Sequence, residues 1–190
     1  MENNRIKYDG KTIALIGILS AISTVLIYIG FPILPGASNL ELDFSDVPAL
    51  LAGVGISPVA GVLVILIKNI LNIALGGGAH MLWGAFQNFI CGTALVLPCS
   101  LLVRIMNKKM KVLDKLPFSM VISSLCQMLV AVLTNYFIMI PLYKNFLAVP
   151  VPEYMFLVVV FNVIKNFTVC LIFYFIYKYL YPKIRTKLYY

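Results

Sequence analysis

Asn162, Lys165 and Asn166 are spaced i, i+3 and i+4, so in a helix their side chains share one face. Lys68 and Asn72 repeat the i, i+4 spacing, and Gln87, Asn88, Gln127 and Asn135 add further amides. A carboxamide offers donors and an acceptor, and a Lys ammonium offers three cationic donors. Gathered in one place, these groups suit the binding of a neutral solute that carries amide or imide edges. Phe44, Trp83, Phe86, Phe89, Tyr136 and Phe161 could supply flat apolar walls. The competing reading is that the amides bond helix to helix and that the aromatics pack or form an interfacial belt. A single Asn would favour that reading. Several amides and a Lys at matching depths favour a cavity.

The elements that must carry these residues are membrane helices. Of the 190 residues, 62% are hydrophobic and only 12% charged, about half the charge of a soluble domain. Asp, Glu, Lys and Arg are absent from Thr12 to Leu40, Val47 to Ile67, Asn69 to Val103 and Leu116 to Tyr143. A helix crossing ~30 Å of hydrocarbon needs about 20 apolar residues, so these runs suffice. The expected architecture is all-α and integral to the membrane, one transmembrane domain over 1–190. Its helices are expected at about 12–31, 47–56, 58–75, 81–105, 117–141 and 154–181. Ser57 before Pro58 reads as an N-cap followed by an N1 proline. The apolar run from Thr12 is too long for a signal peptide and reads as a retained first helix.

Topology follows from the charges. The net charge is +8, from 15 basic and 7 acidic residues. The bases cluster at Arg5, Lys7 and Lys11, at Arg104, Lys108, Lys109, Lys111 and Lys115, and at Lys178, Lys183, Arg185 and Lys187. Six crossings put all three clusters in the cytoplasm, with both termini, as the positive-inside rule prefers. The charge is thus an orientation signal, and no nucleic-acid partner is expected. The loop with Glu41, Asp43 and Asp46 then faces outward, before a second helix too short to span alone. A loop that dips into the membrane and closes as a lid would complete it. Asp43, Asp46 and, after the Gly76–Gly78 run, His80 are assigned to this lid region, which leaves no carboxylate expected inside the bundle.

Lys68 and Lys165 lie far from helix ends, where a charge costs a few kcal/mol and is a functional suspect by default. The first helix differs: it carries small residues at Ala14, Gly17 and Ala21, and Gly17-x-x-x-Ala21 permits close approach of another helix, in this bundle or in another subunit. There is no GxxxxGK[ST], HExxH or GxSxG, and the four cysteines fall within expected spans without metal-ligand spacing. No catalytic residue, metal or resident cofactor is expected. The alternatives that remain are an intramembrane enzyme acting on lipid and a structural subunit whose amides are glue.

Leu42-Asp43-Phe44-Ser45-Asp46-Val47-Pro48, then Ser57-Pro58-Val59-Ala60-Gly61 and Lys68-Asn69, resemble the riboflavin-specific substrate-binding (S) components of energy-coupling factor (ECF) transporters. Asn88-Phe89-Ile90 with Gly92-Thr93, Asn135-Tyr136 with Ile140-Pro141, and Asn162-x-x-Lys165 are similar to the same family. The resemblance implies a six-helix S component of the prokaryotic cell membrane, with riboflavin as bound substrate and the first outer loop closing over it. It implies flavin contacts from Asn135, Asn162 and Lys165; Asn88, Asn166, Leu42 and Phe44 complete the expected contact set. It also implies partners: a transmembrane coupling protein of the EcfT type and two cytoplasmic ATPases. The family's Ala-x-x-x-Ala docking surface is replaced here by Gly17-x-x-x-Ala21, with Ala14 one turn earlier. Another vitamin or a flavin nucleotide stays open as substrate.

Overall fold

The computed structural model describes residues 9–35, 37, 40–76, 79–107, 109–143 and 150–179. Seven helices occur among them: α1 Gly10–Tyr28, α2 Asp46–Gly55, α3 Pro58–Gly76, α4 Ala79–Ile105, α5 Val112–Thr134, α6 Ile140–Tyr143 and α7 Val151–Tyr179. A π-helical segment, Asn135–Met139, joins α5 to α6 in one rod. Five of the resulting rods are long and apolar enough to cross a membrane, and α2 is a shorter apolar helix. The basic residues Arg5, Lys7, Lys108, Lys183, Arg185 and Lys187, and positions 180–181 of the last expected helix, lie outside the described residues.

Local chemistry explains the boundaries. Asp9 caps α1, accepting from the Thr12 backbone N–H at 2.9 Å and from the Thr12 hydroxyl at 2.7 Å. The helix stops at Tyr28 rather than running to Phe31. Gly30 turns the chain, donating to the Ile27 carbonyl at 3.0 Å. Phe31–Pro32 (β1) then pairs antiparallel with Glu41–Leu42 (β2), Phe31 opposite Leu42. The missing N–H of Pro32 is harmless on so short an edge. Ser57 caps α3 through a 2.9 Å bond from the Ala60 N–H, with Pro58 in the first turn. α5 begins at Val112, five residues before the expected start, with Pro117 inside its second turn. α7 starts at Val151, with Pro152 and Glu153 in its first turn.

α2 is wrapped by its neighbours. All of it except Leu51 and Gly55 is buried, as suits a helix that is apolar all round. It packs against α1, α3, α4 and α7. A Cβ on Gly61 of α3 would meet the Gly53 Cα at 2.8 Å and the Ala49 carbonyl at 3.0 Å, so α2 and α3 touch backbone to backbone there. Leu50, Val64, Ile65, Leu95, Val96 and Phe173 make the main core around this contact. A second cluster of Ala37, Ile140, Tyr154 and Val158, with Leu34 and Leu40 partly buried, seats the loop between α1 and α2 on α6 and the start of α7.

Candidate functional site

The last residues of that loop carry charge into the bundle. The Lys68 ammonium, with no exposed surface, donates to Asp46 Oδ1 at 2.6 Å and to Ser45 Oγ at 2.7 Å. Lys165, on α7, donates to Asp43 Oδ2 at 2.7 Å. The Ser45 hydroxyl donates to Asp43 Oδ1, and the Ser45 backbone N–H reaches the same oxygen at 2.9 Å. The Ser45 carbonyl accepts from the Ser23 hydroxyl of α1. One network thus ties α1, α3 and α7 to the loop. Gly92 of α4 makes room for it, since a Cβ there would lie 3.1 Å from Asp46 Oδ1.

This corrects two expectations. Asp46 opens α2 rather than belonging to the loop, and Asp43 and Asp46 are both buried, 6% and 4% exposed, as counter-ions to the two intramembrane lysines. The bundle therefore does contain buried carboxylates. The physical reason is the cost of an unpaired ammonium at membrane depth, about 3 kcal/mol on insertion scales. The Asp43 carboxylate is held from both oxygens, by Lys165 on Oδ2 and by the Ser45 hydroxyl and N–H on Oδ1. A third correction concerns His80: its backbone lies in the first turn of α4 rather than in a loop, because α4 begins directly after the glycine run. Its side chain lies outside the described residues.

The amides divide into groups. Gln127 of α5 donates to Asn162 Oδ1 at 2.8 Å and accepts from Asn166 Nδ2 at 2.7 Å. Asn166 also reaches the Ser124 carbonyl at 3.3 Å. These three residues join α5 to α7, and Asn166 is engaged in helix-to-helix bonding. Asn162 gives one N–H to the Val158 carbonyl at 2.7 Å, which leaves its second N–H and a lone pair. Lys165 follows Asn162 by three positions and lies 6.0 Å from the Phe161 ring centre. Carried toward the hairpin end, the α5–α7 register brings the π segment against α7. There Asn135 is buried and bonds the Ala131 carbonyl at 2.8 Å.

Other expected contacts sit less tightly. Leu42 is buried and Phe44 half-buried against the core. Asn88 is half-buried on α4. On α3, Asn69 and Asn72 are buried with carbonyl oxygens lacking a donor among the described residues. Trp83, Phe86 and Tyr136 are largely exposed, so they do not wall the pocket here; Trp83 and Phe86 meet edge to face. The sequence reading missed the ionic network and the role of Gln127. The signal in the sequence is only that two lysines inside apolar text require two acids; which acids serve is decided by the fold.

Membrane-length helices around a buried, charge-balanced polar centre define an integral membrane protein with an interior polar site. The sequence profile described as ECF transporter, substrate-specific component, matches residues 11–181. The riboflavin transporter RibU of Staphylococcus aureus is 34% identical over 176 residues, 90% of each chain. The riboflavin transporter FmnP of Bacillus subtilis is 34% identical over 142 residues, 74% of this chain and 72% of that one. A solved S component of a bacterial ECF transporter superposes with a TM-score of 0.78 at 33% identity, covering 90% of this chain and 96% of the other. The chain belongs to the family of substrate-specific components of ECF transporters. It is a multi-pass plasma-membrane protein and a substrate-binding subunit, not an enzyme.

Proposed function

We propose that this chain binds riboflavin as the substrate-specific subunit of an ATP-driven importer, with the ring's carbonyl and imide edge held by Asn135, Asn162 and Lys165. The observation that carries this reading is the convergence of Lys165, Asn162 and the π segment at the seam of α5 and α7, beneath the α1–α2 loop. The flavin edge alternates acceptors with one N–H donor. Lys165 has three donors and uses one on Asp43, while Asn162 and Asn135 each keep an N–H and acceptor capacity. Leu42, Phe44 and Phe161 supply apolar surface, and Asn88 is assigned to the contact set from α4, where it is half-buried. The relatives named as riboflavin transporters support this choice of solute.

Energy comes from partners. The reading assigns the EcfT-type coupling protein to the α1 face with Ala14, Gly17 and Ala21, and two cytoplasmic ATPases beyond it. All three residues are exposed, and nothing lies within 4 Å of a Cβ built on Gly17. The same reading has six crossings, with α2 and the hairpin loop together completing the second, both termini in the cytoplasm and the loop as an outward lid. Protein purified from cells grown with riboflavin should be yellow, and mass spectrometry of the extracted ligand should identify riboflavin at about one per chain. A colourless protein that takes up no riboflavin would overturn the assignment, and a flavin nucleotide alone would change the substrate.

A further inference from the structure

We infer that Lys68 is a positioning residue for the solute site, acting on Lys165 through Ser45 and Asp43 without touching the solute. The inference rests on the reading of the Lys165 pocket as the riboflavin site.

Lys68 is on α3 and Lys165 on α7, and both point into the same loop. Lys68 donates to Ser45 Oγ at 2.7 Å. A serine hydroxyl has one hydrogen, so accepting from Lys68 turns that hydrogen away, toward Asp43 Oδ1, where Ser45 donates it. The Ser45 N–H adds a second donor to Oδ1 at 2.9 Å. With Oδ1 engaged twice, the carboxylate plane is set, and Oδ2 is presented to Lys165 at 2.7 Å. The direction of the Lys165 ammonium, and so of its two remaining donors, follows from that plane. Bonds aligned in this way also polarise one another.

Asp46 balances the Lys68 charge at 2.6 Å, which keeps the unit neutral. The remaining N–H groups of the buried Lys68 need a further acceptor. That acceptor is the Ser45 hydroxyl, whose own hydrogen goes to Asp43, and this is the link that leads to the site. Ser23 of α1 fixes the Ser45 carbonyl from the other side, so the middle of the relay is held from two helices.

The test measures riboflavin affinity by fluorescence quenching, and the absorption spectrum of the bound flavin, in whole protein in lipid nanodiscs. Ser45→Ala removes the relay hydroxyl and leaves both ion pairs. Lys68→Met/Asp46→Leu removes the anchor without leaving a lone charge. Each should weaken binding about tenfold or more, as expected when a hydrogen bond to a charged group is lost. Each should also shift the flavin spectrum, because the nearby cation moves relative to the ring. Both effects should vanish in a Lys165→Gln background. Wild-type affinity and spectrum in Ser45→Ala would overturn the inference. So would a loss of equal size with Lys165→Gln present, which marks general destabilisation. If Lys165→Gln binds too weakly to titrate, the spectrum of Ser45→Ala decides alone. Failure of the wild-type protein itself to bind riboflavin would remove the site reading, and the inference with it.

Discussion

Lys165 shows how much of a polar site can be read from residue type and how much needs the fold. Its position in an apolar run marks it as functional, because an ammonium at that depth is costly. Its partner, Asp43, is 122 positions away, and no spacing rule reaches so far. The same holds for the amides. The i, i+3, i+4 pattern puts Asn162, Lys165 and Asn166 on one face, but the α5–α7 register decides that Gln127 engages Asn162 and Asn166. Lys165→Ala leaves Asp43 buried without its counter-ion and removes a donor from the site. On the proposed reading, Asn162→Ala leaves a flavin polar atom unpaired. Each should weaken riboflavin binding by about tenfold or more, read by titration; wild-type affinity in both would refute the site assignment.

Among the elements, the long helices were legible because an apolar run of membrane length admits little else. Their ends were less so. The expected span starts at Pro117, after the charged stretch that ends at Lys115, whereas α5 begins five residues earlier and takes the proline in its second turn. The π segment left no mark in composition. The last turn of this rod contains Pro141, which has no N–H to give. The ten-residue α2 was expected to need the preceding loop, and the structure adds the reason it is stable: four helices cover it, and glycines let them come close. Gly61→Ala tests that contact. Its Cβ would stand 2.6 Å from Val96 Cγ1 as well as against the α2 backbone, an overpacking worth about 1–3 kcal/mol. The unfolding midpoint in detergent should drop, whereas Gly17→Ala, in open space inside α1, should hold it or raise it slightly. Equal midpoints for the two variants would mean that α2 and α3 are not in close contact.

At the scale of the molecule, the polar network and the small-residue stripe of α1 lie on different surfaces, to which the proposal assigns binding and coupling. The polar network occupies the hairpin end of the bundle, while the small residues of α1 face outward beside exposed Ile13, Ile18, Ile22 and Val25. α1 buries Ile16, Ser20, Ser23 and Thr24 on the adjoining face. The sequence left the partner of the Gly17-x-x-x-Ala21 stripe undecided between this bundle and another subunit, because small residues serve both. Its exposure here leaves it free for another subunit. Gly17→Leu should therefore keep wild-type riboflavin affinity yet abolish ATP-driven uptake in reconstituted vesicles containing the coupling protein and ATPases. Lost binding with intact assembly would contradict the separation. The most direct measurement of the central claim is an equilibrium titration of the purified wild-type chain, alone and without partner subunits, against riboflavin. Saturable quenching of flavin fluorescence at one site per chain, complete at or below micromolar concentration, is expected. No saturable quenching at micromolar riboflavin would contradict the claim.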